Sequence, residues 1–395
     1  MTSESTPAST YDSSKGPKLT TRRKVLFTIV VTLVLFAALE TVTRVGAYFI
    51  YHRSPYFLFY GIREQAADDD PEGHNVPLKG YSKFPANKVL HQYGMFQEPT
   101  PIRVNSVGLR GEDFAVVKPA STFRVICMGE SSTFGFYDRD EFTYPALTQQ
   151  VLRRQGALQA GRIEVINAGI PHANSDQILA MERGELLDYK PDVLTLYAGF
   201  NDAVLMMDET TLQATMRWLH GHFASYVALK RLVTAVGGPV LYSRWSGYLS
   251  DVQPASVRRQ VELHVARYEK NVREMVALAR QRGVRFVFIK QPIVMEFHDR
   301  DSTWRATTYA GRVAAARTAV EAGRAISANQ TVELVHGALM DVLDRLAKEL
   351  DIPVVDNIVI MDGHPEYYAS YVHITEDGNG SLGTAIAETI GRISQ

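Results

Sequence analysis

Cysteine is nearly missing from this chain, with one residue, Cys127, in 395. No internal disulfide can form, and no Cys/His set has zinc-finger spacing, so a disulfide scaffold and a structural zinc domain are both excluded. A charge excess of either sign is also missing, because 42 basic and 43 acidic residues leave a formal net charge of −1. An electrostatic surface for a nucleic-acid backbone needs a basic excess, so no nucleic-acid partner is expected. No GxxxxGK[ST] phosphate loop occurs, and the six-residue step from Gly129 to Gly135 fails the GxGxxG fingerprint. Neither a cofactor nor a metal is called for. What is present, 46% hydrophobic and 22% charged residues over two to three domains' worth of chain, can bury a sizeable core. Collagen-like, disordered and coiled-coil classes fall away.

Positive charge gathers at the start, where the first 24 residues carry +3 and the remainder −4. Val25 to Leu39 is uncharged, and apolar character resumes from Val45 to Tyr51 after an interruption holding Glu40 and Arg44. A helix needs roughly 20 residues to cross the hydrocarbon layer, so residues 25–51 are expected to form a transmembrane signal-anchor. Glu40 and Arg44 stand four apart and can pair on one helix face near the interface. Arg22, Arg23 and Lys24 flank the N-terminal end, which places residues 1–24 in the cytoplasm as a Ser/Thr/Pro-rich tail and everything after Tyr51 outside. The expectation is thus a single-pass protein of the cytoplasmic membrane with its bulk on the extracytoplasmic, periplasmic side. The rival reading is a cleaved signal peptide with Val45-Gly46-Ala47 as the cleavage site. Glu40 and Arg44 separate the apolar core from that site, which favours retention.

Residues 52–120 hold Pro-, Gly- and Asp-rich stretches and read as an irregular lead-in. From Phe123 onward, apolar β-prone runs alternate with helical patterns: Phe123 to Met128, Ile163 to Ile166, Val193 to Tyr197, Val284 to Ile289 and Pro353 to Asp356. Such near-continuous apolar runs suit strands of a parallel sheet covered on both faces. Between them Val257 to Arg282 is the clearest helix, with Val257, Val261, Val265, Tyr268, Val272, Met275 and Val276 at helical spacing and Gly283 as a stop. The implied architecture for residues 121–395 is a doubly wound α/β sheet of five parallel strands. Residues 203–255, with Trp218, Tyr242, Trp245 and Tyr248, and residues 298–335 are too long for plain crossovers and read as helical cap insertions. Met206, Met207 and Met216 read as packing residues.

In an open α/β sheet, ligands bind outside the carboxyl ends of the strands. The first strand ends in Gly129-Glu130-Ser131-Ser132-Thr133-Phe134-Gly135, a turn that can expose a serine oxygen beside unpaired backbone N–H groups. The second ends in Asn167-Ala168-Gly169 and the third in Gly199-Phe200-Asn201-Asp202. After the fifth come His373, Thr375-Glu376-Asp377-Gly378 and the last helix. Each alone is ordinary turn chemistry. Together, in this order and at successive strand ends, they supply a nucleophile, two oxyanion donors and a base.

That set resembles the SGNH (GDSL-like) hydrolase superfamily, over roughly residues 101 to 395. Asn105, Gly108 and Arg110 in VNSVGLRG resemble the lead-in of its exported, membrane-anchored bacterial members. The resemblance implies Ser131 as nucleophile, Gly169 N–H and the Asn201 amide as oxyanion donors, and His373 as base. GESS stands where the family often has GDSL. A larger departure is Ser370, which occupies the place of the aspartate three residues before the histidine. Ser370 itself, a backbone carbonyl, or Asp356, Asp362 or Glu366 could orient the ring; His364 is a rival base. The resemblance implies a serine esterase cleaving O-acyl esters of an acylated carbohydrate or lipid through an acyl-enzyme on Ser131. An O-acyltransferase acting on an envelope or exported polysaccharide and a non-catalytic envelope scaffold are the other readings.

Overall fold

The structure, a computed structural model, describes residues 20–50, 76–78, 80–92, 100–156, 160–204, 251–297 and 303–394, together with scattered positions between 215 and 232. An N-terminal helix, α1 (Thr21–Ile50), comes first, and its stretch Thr21–Gly46 is long and apolar enough to cross a membrane. The expected lead-in is more ordered than its composition suggests. It contains two antiparallel pairs, β1 (Val76–Leu78) with β2 (Tyr81–Lys83) and β3 (Val89–Gln92) with β4 (Thr100–Arg103).

Five parallel strands follow: β5 (Thr122–Gly129), β6 (Arg162–Gly169), β7 (Val193–Tyr197), β8 (Arg285–Lys290) and β9 (Val354–Asp356). Their spatial order is β6-β5-β7-β8-β9, so the connections leave the sheet in opposite directions on either side of β5. The crevice between the carboxyl ends of β5 and β7 is therefore the switch point where such sheets bind ligands.

Helices cover both faces. Alternate residues of β5 divide between them, with Ile126 and Met128 in one core and Val125 and Cys127 in the other. Alternation with both faces buried explains why these strands read as unbroken apolar runs. The first core is closed by α4 (Ser175–Gly184), α6 (Pro254–Gln281), α7 (Tyr309–Glu321) and α8 (Ala328–Leu350). The second is closed by α3 (Tyr144–Gln155) and α10 (Glu376–Ile393). Cys127 is fully buried, and burial pushes its thiol up to about 12, so it serves as a small hydrophobe.

One expectation needs correction. Of the stretch 298–335, the described part does not form a separate cap. Tyr309, Val313, Ala316 and Val320 lie in the first core, so α7 is a member of the covering layer. Its Ala- and Arg-rich composition hid the stripe, because small residues pack there in place of large ones. In the stretch 203–255, the residues Met206, Met207, Met216, Tyr242, Trp245 and Tyr248 lie outside the described residues.

Candidate active site

The turn after β5 is built by a four-residue helix, α2 (Ser131–Phe134), with Glu130 at its N-cap in extended conformation and Gly135 closing it in the left-handed region. The N–H groups of Thr133 and Phe134 close on Glu130 O, which leaves those of Ser131 and Ser132 at the start of the turn without an intrahelical partner. Of the two serines, Ser132 turns inward. Its hydroxyl donates to Val372 O at 3.2 Å and accepts from Gln291 Nε2 at 3.2 Å. Ser131 turns outward, and its Oγ lies 2.9 Å from His373 Nε2.

His373 sits in a tight loop in which Ala369 and Ser370 N–H both donate to His373 O. Its Nδ1 lies 2.7 Å from Ser370 Oγ, which also accepts from the backbone N–H of His373 at 3.1 Å. Phe136 stacks on the imidazole, with ring centroids 5.2 Å apart, and Tyr137 meets it edge-on. Burial, with the charge of nearby His172 added, pushes His373 down to about 3, so the ring is neutral at physiological pH.

The carboxylates that might have oriented the ring are committed elsewhere. Asp356 caps α9 (Asn357–Met361) and pairs with Lys290 at 3.0 Å. Asp362 accepts from Tyr309 N, and Glu366 pairs with His364 at 2.9 Å. His364 is half exposed and stacked on Tyr367, and the histidine that meets Ser131 Oγ is His373. Of the residues proposed to orient the ring, Ser370 is the one the structure places on Nδ1.

Gly169 ends β6 directly against α2. A Cβ there would stand 2.1 Å from Phe134 N, so only glycine permits this approach. Its N–H donates to Asn167 Oδ1 at 3.0 Å, and the Asn167 amide donates to Phe134 O, so a role as oxyanion donor requires the first of these bonds to give way. Asn201, on α5 (Phe200–Val204), uses one amide proton on Ala173 O at 2.9 Å. An amide has two such protons, so the second can serve a substrate.

Two residues hold this geometry together. Glu130, fully buried, accepts from Gly199 N at 2.8 Å and from Asn201 N at 3.2 Å, tying the nucleophile turn to the Asn201 turn. The Glu of GESS, at the place of the Asp of GDSL, thus joins two turns of the site. Burial, and then the neighbouring Asp202, pushes Glu130 up to about 8. Its position directly before Ser131 was the available signal, but its reach to Asn201 was not legible. Arg110, buried, donates from Nη1 to Phe134 O and Gly135 O at 2.9 and 2.5 Å, from Nη2 to Asp138 O at 2.6 Å, and pairs with Asp140. It clamps the exit of α2. The VNSVGLRG segment that delivers it is shaped by Asn105 Oδ1, which accepts from Val107 and Leu109 N–H. Gly108 has φ +80° there, and a Cβ would stand 2.5 Å from Phe84 O.

These contacts give two expectations for stability. Arg110→Lys keeps the charge but loses the fork that serves three carbonyls, and should cost about 2–4 kcal/mol, read as a lowered urea midpoint. Glu130 has a folded pKa raised from 4.5 to about 8. Its contribution is therefore full below pH 4.5 and is lost as pH rises toward 8. Asp138 and Glu182, raised to about 8 and about 9, act in the same direction, so Glu130→Gln should show a shallower but not flat decline in stability over this window. A variant declining as steeply as the wild type in urea titrations at stepped pH would show that Glu130 is ionised throughout.

The family profile described as GDSL-like Lipase/Acylhydrolase matches residues 127–380, nearly two thirds of the chain. The chain belongs to this family. It is an ester-bond hydrolase by that membership. A search of curated proteins finds no match. Among solved structures, a lipase/acylhydrolase from Enterococcus faecalis is similar at 19% identity and a TM-score of 0.39, covering 69% of this chain and 96% of that one. A GDSL-like lipase from Bacteroides thetaiotaomicron is similar at 15% identity and a TM-score of 0.37, covering 71% and 93%. An acetylxylan esterase from Geobacillus stearothermophilus is similar at 14% identity and a TM-score of 0.38, covering 68% and 94%.

Proposed function

We propose that this acylhydrolase is a membrane-anchored serine esterase that removes O-acyl groups from a carbohydrate or lipid outside the cytoplasmic membrane, through an acyl-enzyme on Ser131. The observation that carries the reading is the 2.9 Å contact between Ser131 Oγ and His373 Nε2, at the switch point of the sheet. Ser131 Oγ attacks the ester carbonyl while His373 Nε2 takes its proton. The negative oxygen of the tetrahedral intermediate is held by the Ser131 N–H and the second amide proton of Asn201, joined by Gly169 N–H once it leaves Asn167. His373 returns the proton to the leaving alcohol, and water then repeats the sequence on the acyl-enzyme.

Base function requires the proton of the neutral ring to sit on Nδ1, facing Ser370 Oγ. A hydroxyl has two lone pairs; the backbone N–H groups of His373 at 3.1 Å and, more weakly, Val372 at 3.4 Å share one, and the ring N–H takes the other. Ser370 can thus fix the tautomer. It cannot lend the negative charge that stabilises an imidazolium, which makes His373 a weak base and the turnover slow.

The anchoring part of the proposal is supported by α1 and the basic residues before it. For the chemistry, Asn201→Ala should lower kcat on acetyl and longer acyl esters by about two to three orders of magnitude with little change in KM, because an oxyanion donor acts chiefly in the transition state. A variant that kept kcat and lost affinity would make Asn201 a ground-state contact and count against this mechanism.

A further inference from the structure

Glu40 occupies an expensive position, on the apolar helix α1 ten residues before its end at Ile50. Arg44 neutralises it at 2.7 Å, as its i,i+4 spacing suggests. The structure adds three donors from a distant part of the chain. Ala224 N and Ser225 N donate to the carboxylate at 2.8 and 2.9 Å, and Ser225 Oγ donates at 2.7 Å. With Arg44 these four donors match the roughly four lone-pair sites of a carboxylate. Arg44 in turn donates to His222 O at 2.7 Å, and Phe36 meets Phe223 edge-on with centroids 5.2 Å apart. Glu40 therefore caps the helical segment that starts at Ala224 and docks residues 222–225 on α1.

The depth of this contact decides where the insertion lies. If Lys24 marks the cytoplasmic boundary, roughly 20 residues bring the outer boundary to about Arg44. Phe36 is then about 12 Å inside it, at 1.5 Å per residue. A segment that touches Phe36 stands within the hydrocarbon layer, not in water. Its outward side chains agree, since Trp218, Leu229 and Leu232 are 53, 50 and 62% exposed. Its charge agrees as well. Residues 203–255 carry a net +1, and their four basic residues, Arg217, Lys230, Arg231 and Arg244, all lie between the acidic residues Asp208 and Glu209 on one side and Asp251 on the other. That composition complements anionic headgroups.

We propose that the segment carrying Trp218, Leu229 and Leu232 is a membrane-embedded element, in which these three side chains contact the lipid of the outer leaflet of the anchoring bilayer, latched to α1 by Glu40. This rests on the reading of α1 as a spanning anchor. The insertion begins directly after α5, which carries Asn201, so chain continuity couples the lipid-bound element to the catalytic turn.

The buried Cys127 leaves the full-length protein suitable for single-site spin labelling. Labels are placed by Leu229→Cys and, independently, Leu232→Cys, with Leu33→Cys on α1 as the report on the anchor and the exposed Leu263→Cys on α6 as the aqueous control. The protein is reconstituted in vesicles of phosphatidylethanolamine and phosphatidylglycerol, and each label's collision rate with oxygen is compared with that of a water-soluble nickel chelate. The proposal expects an oxygen-to-nickel ratio at 229 and 232 several-fold above that at 263 and near that at 33. A lipid-like ratio at 33 with water-like ratios at both 229 and 232 overturns it while leaving the anchor intact. Water-like ratios at all four sites overturn the anchor and this proposal together.

Discussion

Ser131→Ala is expected to lower ester cleavage by about three orders of magnitude or more while leaving the thermal transition in place. Removing the serine of a well-furnished triad costs about six orders of magnitude, but the starting point here is lower because a neutral hydroxyl replaces the orienting carboxylate. Residual rate would come from the oxyanion donors alone. The fold should not suffer, since Ser131 Oγ faces outward and meets His373. Ser132→Ala should be much milder in rate. Its hydroxyl ties α2 to the carbonyl of Val372 and to Gln291, a link that supports the histidine loop without touching the reacting atoms. Steady-state rates on one acetyl ester, measured beside melting curves, check both. Equal losses in the two variants would remove the assignment of the first serine.

The second large effect is expected at Ser370, and its sign depends on the substitution. Ser370→Ala takes away the hydroxyl partner of Nδ1 and the acceptor of the His373 N–H, so the tautomer is no longer fixed. A loss of about two to four orders of magnitude is expected, the upper end being the cost of a wrong tautomer in a serine protease. Ser370→Asp should raise the rate. A carboxylate would accept the same donors, stabilise the imidazolium and lift His373 from its depressed value of about 3. Crowding by a second carboxylate would reverse that sign, but Asp356, Asp362 and Glu366 are engaged with the α9 N-terminus and Lys290, with Tyr309 N, and with His364. The readout that separates orientation from bulk stability is the acid limb of kcat/KM. It should lie near pH 3 in the wild type and move to higher pH in Ser370→Asp. An unmoved limb with a lowered rate would mean that Ser370 acts only by holding the loop.

How much of this could be read in the sequence follows from where the information sits. Strand ends were legible because the runs around Val125, Val193 and Val287 are apolar on both faces, and a buried parallel strand shows no other pattern. Ser131, Gly169, Asn201 and His373 were legible because each directly follows or faces such an end. Contacts that join distant segments had no local signal. Glu130 reaches Asn201 across 71 positions, Arg110 reaches Phe134 across 24, and Glu40 reaches Ser225 across 185. Each is an ionisable side chain that reaches backbone groups far along the chain, and the sequence shows only its residue type. The engagement of Gly169 N–H with Asn167 was hidden for the same reason, because a two-residue turn bond leaves no trace in periodicity. The antiparallel pairs at 76–83 and 89–103 escaped because three- and four-residue strands are too short to display alternation.

The central claim is that Ser131 becomes acylated with His373 as its base, and the most direct test is the mass of the Ser131 peptide. The purified full-length protein is incubated with acetyl and longer acyl esters, quenched in acid and digested. The account predicts a peptide heavier by one acyl group, with the modification on Ser131, absent in Ser131→Ala and strongly reduced in His373→Ala. An unmodified peptide while ester is being consumed, or an acyl group found on Ser132, would contradict it.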